Sequence, residues 1–149
     1  MTEINKEFWQ VVLDRRSIRK YTDEQVSEED IRLIMESARQ APSGENAQPW
    51  RFIIVKDQAS KDFLSVVGKG GSGRRFTGEY LSKHMQTRFE TLEDEDKKRA
   101  AFKKLTSGSV SAFVNQAAFY ILVLGKKEVW DAPFDTSAAI ENILLTAAS

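Results

Sequence analysis

Apolar residues in positions 4–14 recur at helical spacing, with Ile4, Phe8, Val11 and Val12 on one stripe, and predict an amphipathic helix. The stripe breaks at Arg15-Arg16-Ser17-Ile18-Arg19-Lys20-Tyr21. Ser27 followed by Asp30 resembles a capping box whose acid is one methylene shorter than usual. Ile31, Ile34, Met35 and Ala38 then supply the apolar face of a second helix, which Pro42 stops by disfavouring helical geometry at Ala41. After Pro49, the run Phe52-Ile53-Ile54-Val55 predicts a buried strand. Residues 58–67 predict a short helix containing Phe63, Leu64, Val66 and Val67, followed by a flexible glycine-rich loop from Gly68 to Gly73. Residues 79–105 are strongly charged and predict two surface helices around T-L-E-D-E-D, a solvated face or lid.

Ala118–Leu124 predicts a second buried strand, ended by Gly125 and two lysines. The last element opens on the capping residues Asp135, Thr136 and Ser137 and is apolar most of the way around, so it predicts a helix that is buried or lies in an interface. Two strands make a poor core sheet, and the expectation is that further strands come from another chain or from a segment outside this one.

The length of 149 residues, with 41% apolar and 30% charged side chains, predicts one globular domain spanning 1–149. Its 22 basic and 22 acidic side chains cancel, so net charge gives no reason to expect nucleic acid or an anionic membrane as partner. No apolar stretch approaches the ~20 residues of a membrane span, and the N-terminus lacks the apolar core of a secretory signal. A cytoplasmic location is the expectation. The chain has no cysteine and one histidine, His84, which rules out thiolate catalysis and puts the usual His-rich zinc sites out of reach. His84 sits in a charged helical stretch and reads as a surface or half-buried structural residue. If the protein is an enzyme, a cofactor is expected to carry the chemistry.

Gly68, Gly70 and Gly73 formally match the dinucleotide pattern G-x-G-x-x-G, but a helical pattern precedes them where that fingerprint needs a strand. Two other clusters are richer. Arg15, Arg16, Ser17 and Arg19 gather guanidinium forks and a hydroxyl suited to phosphate, against the plainer reading of a solvated basic turn. In an extended segment, Arg15, Ser17 and Arg19 would share one side. The connection A-P-S-G-E-N-A-Q-P-W, from Ala41 to Trp50, carries more small and amide-bearing residues than a turn requires. Trp50 and Phe52 are better read as core residues than as stacking partners of a ligand.

Taken together, R-R-S-I-R-K-Y, then A-P-S-G-E-N-A-Q-P-W-R-F-I-I-V, then D-T-S-A-A-I-E-N-I-L-L-T-A-A resemble the nitroreductase family of FMN-dependent oxidoreductases in order and spacing. The resemblance implies an α+β fold, a mixed sheet covered by helices, working as a homodimer with FMN at the subunit interface. It implies that Arg15 and Ser17 hold the FMN phosphate with Arg16 assisting, and that Arg19 lies near the pyrimidine side of the flavin ring. Pro42 and Ser43 match ring-contacting positions and Asn46 and Gln48 polar ones, usually contributed by the partner subunit. The final helix resembles the family's long helix at the two-fold interface. Members continue past it with a glycine-rich turn, another strand and a segment that embraces the partner; this chain ends at Ser149, so the family's C-terminal strand region is expected to be absent from it.

The implied reaction is ping-pong: NAD(P)H gives a hydride to flavin N5 and leaves, and a nitroaromatic, quinone or similar acceptor takes its place. No side-chain nucleophile and no metal are required. Flavin-dependent dehydrogenation or reductive dehalogenation on the same scaffold is an alternative, as is an inactive or regulatory flavin-binding or interaction module.

Overall fold

The structure is a computed structural model, and it describes residues 7–80, 82–111 and 113–149, with the side chains of Tyr80 and His84 outside that description. The readings of Ile4 as a helix-face residue and of the His84 side chain as structural fall outside the described residues. The chain forms two compact units. The first comprises Thr22–Val55, Ala118–Ser149 and the described residues up to Ile18; the second comprises Arg19–Tyr21 and Lys56–Ala117.

In the first unit, helix α1 (Phe8–Asp14) buries Val11. Helix α2 (Glu28–Arg39) begins where the sequence places it: the Ser27 hydroxyl accepts the Asp30 amide at 3.0 Å and donates to the Asp30 carboxylate at 2.7 Å. The short acid thus answers the cap through the hydroxyl. Ser27→Ala is expected to cost about 1 kcal/mol, read as a lower denaturation midpoint at unchanged slope. Ile31, Ile34 and Ala38 are buried, as their spacing predicts.

Strands β1 (Trp50–Val55) and β2 (Tyr120–Gly125) pair antiparallel, with Phe52 opposite Val123 and Ile54 opposite Ile121. Helix α6 (Ala132–Thr146) packs on α2 and on both strands. Asn142 Nδ2 donates to the Ser37 carbonyl at 2.9 Å, locking α6 to α2. Trp50 joins Ala41 and Ala139 in a buried cluster, with Phe52 packed against it. Its ring centroid lies 6.3 Å from that of Phe52, so the two are core residues.

The sequence reads both strands as buried, and here the structure differs. Ile53 is 46% exposed and Leu124 49%. The sheet has two strands among the described residues; Trp50 is the buried residue of the pair and the remaining strand residues are half-buried or exposed. A second difference lies at α6, which begins at Ala132 rather than at Asp135. Pro133 in its first turn removes a donor that would have had no helical partner. Asp135 therefore sits inside the helix, its amide donating to the Asp131 carbonyl at 2.9 Å.

The second unit holds the largest departure. Gln58–Tyr80 is one helix, α3, of 23 residues, running straight through the glycine run that predicts a loop. Asp57 caps it, accepting the Ser60 amide at 2.9 Å, and this hydrogen bond is the main reason its carboxyl is held below the ordinary value of 3.8. The charged stretch forms α4 (Lys83–Glu90) and α5 (Glu95–Thr106), the two helices expected. Helix α3 packs on α5 and on the turn after it. The glycines permit this: a Cβ on Gly73 would stand 2.5 Å from the Thr106 carbonyl oxygen, and one on Gly108, at φ +71°, would stand 2.0 Å from that of Lys69. Within a helix the amides of residues 68–73 serve the helical ladder and cannot cradle a phosphate.

Candidate functional site

The basic cluster follows α1 directly. Arg15 adopts extended geometry (φ −54°, ψ 129°) and ends the helix, its amide donating to the Val11 carbonyl. Arg16 turns back on the helix: Nη1 donates to the Leu13 carbonyl at 2.6 Å and to the Arg15 carbonyl at 2.8 Å. It thereby satisfies carbonyls that the helix end leaves open. The half-buried Arg15 guanidinium engages no partner among the described residues. Ser17 is exposed and belongs, like Arg15 and Arg16, to the first unit. Arg19 belongs to the second, where its guanidinium carbon lies 6.0 Å from the Phe113 ring centroid.

The decorated connection is a compact turn in the first unit. The Asn46 amide donates to the Ser43 carbonyl at 3.0 Å and the Ala47 amide to the Gly44 carbonyl at 2.9 Å. The Gln48 amide donates to Ser43 Oγ at 3.0 Å, and Gln48 Nε2 to Asn46 Oδ1 at 3.2 Å. Asn46 and Gln48, singled out as polar contacts for a ligand, thus also hold each other. Pro42 is exposed and Ser43 half-buried. Glu45, Asn46 and Gln48 stand at φ +52°, +56° and +45° with no glycine among them. Left-handed backbone is disfavoured for such residues and persists where the surroundings over-determine it, as functional sites do.

Sequence reading missed what anchors this turn. The Gly44 amide donates to Asp135 Oδ1 at 3.2 Å across 91 residues of chain. Asp135 is 6% exposed, and its Oδ2 has no hydrogen-bond partner among the described residues. Asp131, one helical turn earlier, brings Oδ2 to 2.9 Å from where a Gly44 Cβ would stand. The periodicity held a hint, since Asp135 interrupts the buried stripe of Ala132 and Ala139.

These residues fit FMN by donor chemistry: a guanidinium without a partner among the described residues and a hydroxyl suit a phosphate, and a turn of small and amide residues, with a buried carboxylate beneath, suits close approach to a polar ring. Grooves among the described residues also lie in the second unit. One of about 600 Å³ is lined by Phe89, Glu90, Glu95, Lys98, Arg99 and Phe102, among others. Phe89 and Phe102 meet edge to face with centroids 6.4 Å apart.

The sequence profile described as "Nitroreductase family" matches residues 12–149. A Thermus thermophilus protein named NADH dehydrogenase is 51% identical over 58 residues, 39% of this chain and 28% of that protein. A Thermotoga neapolitana protein named iodotyrosine deiodinase is 30% identical over 122 residues, 82% of this chain and 58% of that one. The chain thus spans less than two thirds of the curated relatives it matches. A solved structure of oxidized iodotyrosine deiodinase bound to FMN and 3-iodo-L-tyrosine superposes with a TM-score of 0.68 at 25% identity, covering 95% of this chain and 69% of that one.

Proposed function

The chain belongs to the nitroreductase family, a family of oxidoreductases, and from that premise we propose that it is a single FMN-binding domain that oxidises NAD(P)H and reduces a nitroaromatic, quinone or similar small acceptor. The observations that carry this reading lie in one unit: an Arg15 side chain with no partner among the described residues, and a Ser43–Gln48 turn with Glu45, Asn46 and Gln48 at positive φ. FMN, when bound, supplies the hydride and electron chemistry. The protein's part is to bind and to orient. Arg15 and Ser17 grip the phosphate, and Arg16 assists by fixing the backbone that carries Arg15. Pro42 and Ser43 lie against the ring, while Asn46 and Gln48 brace the turn and offer polar contacts. In the proposed homodimer this turn serves the cofactor gripped by the other subunit.

Added FMN should quench on binding to the purified protein, and NADH or NADPH absorbance should then fall when a quinone or nitroaromatic is supplied. Failure to take up FMN would sink the reading. Sedimentation should give twice the 16.9 kDa chain mass. Arg19→Ala is expected to leave FMN affinity near its starting value and to lower the flavin's midpoint potential by about 30 mV, the equivalent of ~1.4 kcal/mol in a two-electron couple. The sign follows from removing a cation that favours the anionic reduced ring. A spectroelectrochemical titration with no shift would remove Arg19 from the ring.

A second reading has its own observation. The iodotyrosine deiodinase relative aligns over 82% of this chain, against 39% for the NADH dehydrogenase relative. Reductive dehalogenation on the same site predicts iodide release from 3-iodotyrosine under reducing conditions, which a simple nitroreductase would not give.

A further inference from the structure

We propose that Asp135 is the positioning residue of the Ser43–Gln48 turn, its buried carboxylate holding the Gly44 amide and so fixing the strained backbone that meets the cofactor. The inference rests on the FMN reading for its purpose, and on the protein's own geometry for its mechanics.

The turn leaves little freedom in its amides. The Asn46, Ala47 and Gln48 amides bond within the turn, and the Gly44 amide bonds to Asp135. The exposed Glu45 carries the amide of the run 44–48 that has no partner among the described residues. A turn closed on itself this way can still pivot as a unit unless something outside it holds it. Asp135 is that hold. It stands on α6, which packs on α2 and the sheet, so the anchor sits on a rigid element rather than on another loop.

The cost of the arrangement argues for its use. A carboxylate that is 6% exposed, with one oxygen unpartnered among the described residues, is an unfavourable occupant of the buried stripe between Ala132 and Ala139. A favourable charge at a helix N-terminus needs neither burial nor a contact 91 residues away. The Gly44 hydrogen bond is what an apolar residue of the same size could not supply. With three non-glycine residues of the turn in left-handed backbone, releasing Gly44 lets the segment relax towards commoner conformations.

The test uses the full chain with Asp135→Ala and Asp135→Asn, and reads hydrogen exchange at the Gly44 amide in the FMN-free protein together with FMN titration followed by visible circular dichroism. Asp135→Ala should speed Gly44 exchange at least tenfold, weaken FMN binding by about tenfold and alter the dichroism of the bound flavin. Asp135→Asn keeps an acceptor oxygen and should restore all three to within about twofold. A folded Asp135→Ala with unchanged Gly44 exchange overturns the proposal, and so does Asp135→Asn matching the alanine variant. Where Asp135→Ala does not fold, Asp135→Leu, which refills the volume without an acceptor, takes its place under the same outcomes. A parent protein that takes up no FMN would defeat the flavin reading alone, since the exchange measurement still decides whether Asp135 holds the turn.

Discussion

Gly73→Ala is expected to destabilise the protein by about 3 kcal/mol or more, because its methyl would stand 2.5 Å from the backbone oxygen of Thr106. A carbonyl inside a packed turn cannot swing aside as a long side chain can, so α3 and the segment after α5 would have to separate. Gly108→Ala meets the same obstacle from the other side, at φ +71° and 2.0 Å from the Lys69 oxygen. The controls lie in the same helix. A Cβ on Gly68 or Gly71 meets nothing within 4 Å, and Ala there should stabilise by roughly 0.5–1 kcal/mol through the reduced entropy of the unfolded chain and better helix propensity. Urea midpoints for the four variants decide the matter. Destabilisation by Gly68→Ala and Gly71→Ala would contradict a continuous helix, and a neutral Gly73→Ala would contradict the close packing.

Arg15→Ala is expected to weaken FMN binding by roughly 10- to 100-fold, the range for losing a charge-assisted hydrogen bond of about 1.5–3 kcal/mol. Arg16→Ala should cost far less affinity, since the Arg16 guanidinium is bound to the Leu13 and Arg15 carbonyls at 2.6 and 2.8 Å. Its loss should fray the end of α1 instead. Fluorescence titration of free FMN at two salt concentrations checks both, because a lost phosphate contact also flattens the salt dependence. Equal affinity in Arg15→Ala and the parent would remove Arg15 from the phosphate.

Most elements were legible because their signals are local. Ser27 and Asp30 announce the start of α2, Pro42 its end, and the two apolar runs the strands β1 and β2. The basic cluster and the decorated turn were visible as surplus chemistry. The glycine run was misread, because glycine's preference for loops is an average over contexts and here packing against the Thr106–Gly108 turn outweighs it. Asp135 was misread for a related reason. An acid ahead of Thr136 and Ser137 resembles a cap, whereas the helix begins at Ala132 with a proline in its first turn.

The sequence by itself determined the order of most elements, since periodicity and capping act over a few neighbouring residues, while the class of fold came with the resemblance of three sequence blocks to the nitroreductase family. Only the tertiary structure decided that Arg16 folds back onto its own helix, that the glycines make a helix rather than a loop, and that a buried carboxylate 91 positions away holds the Gly44 amide. The last two outcomes depend on which atoms are brought into contact once distant segments of the chain have packed, which no local pattern encodes.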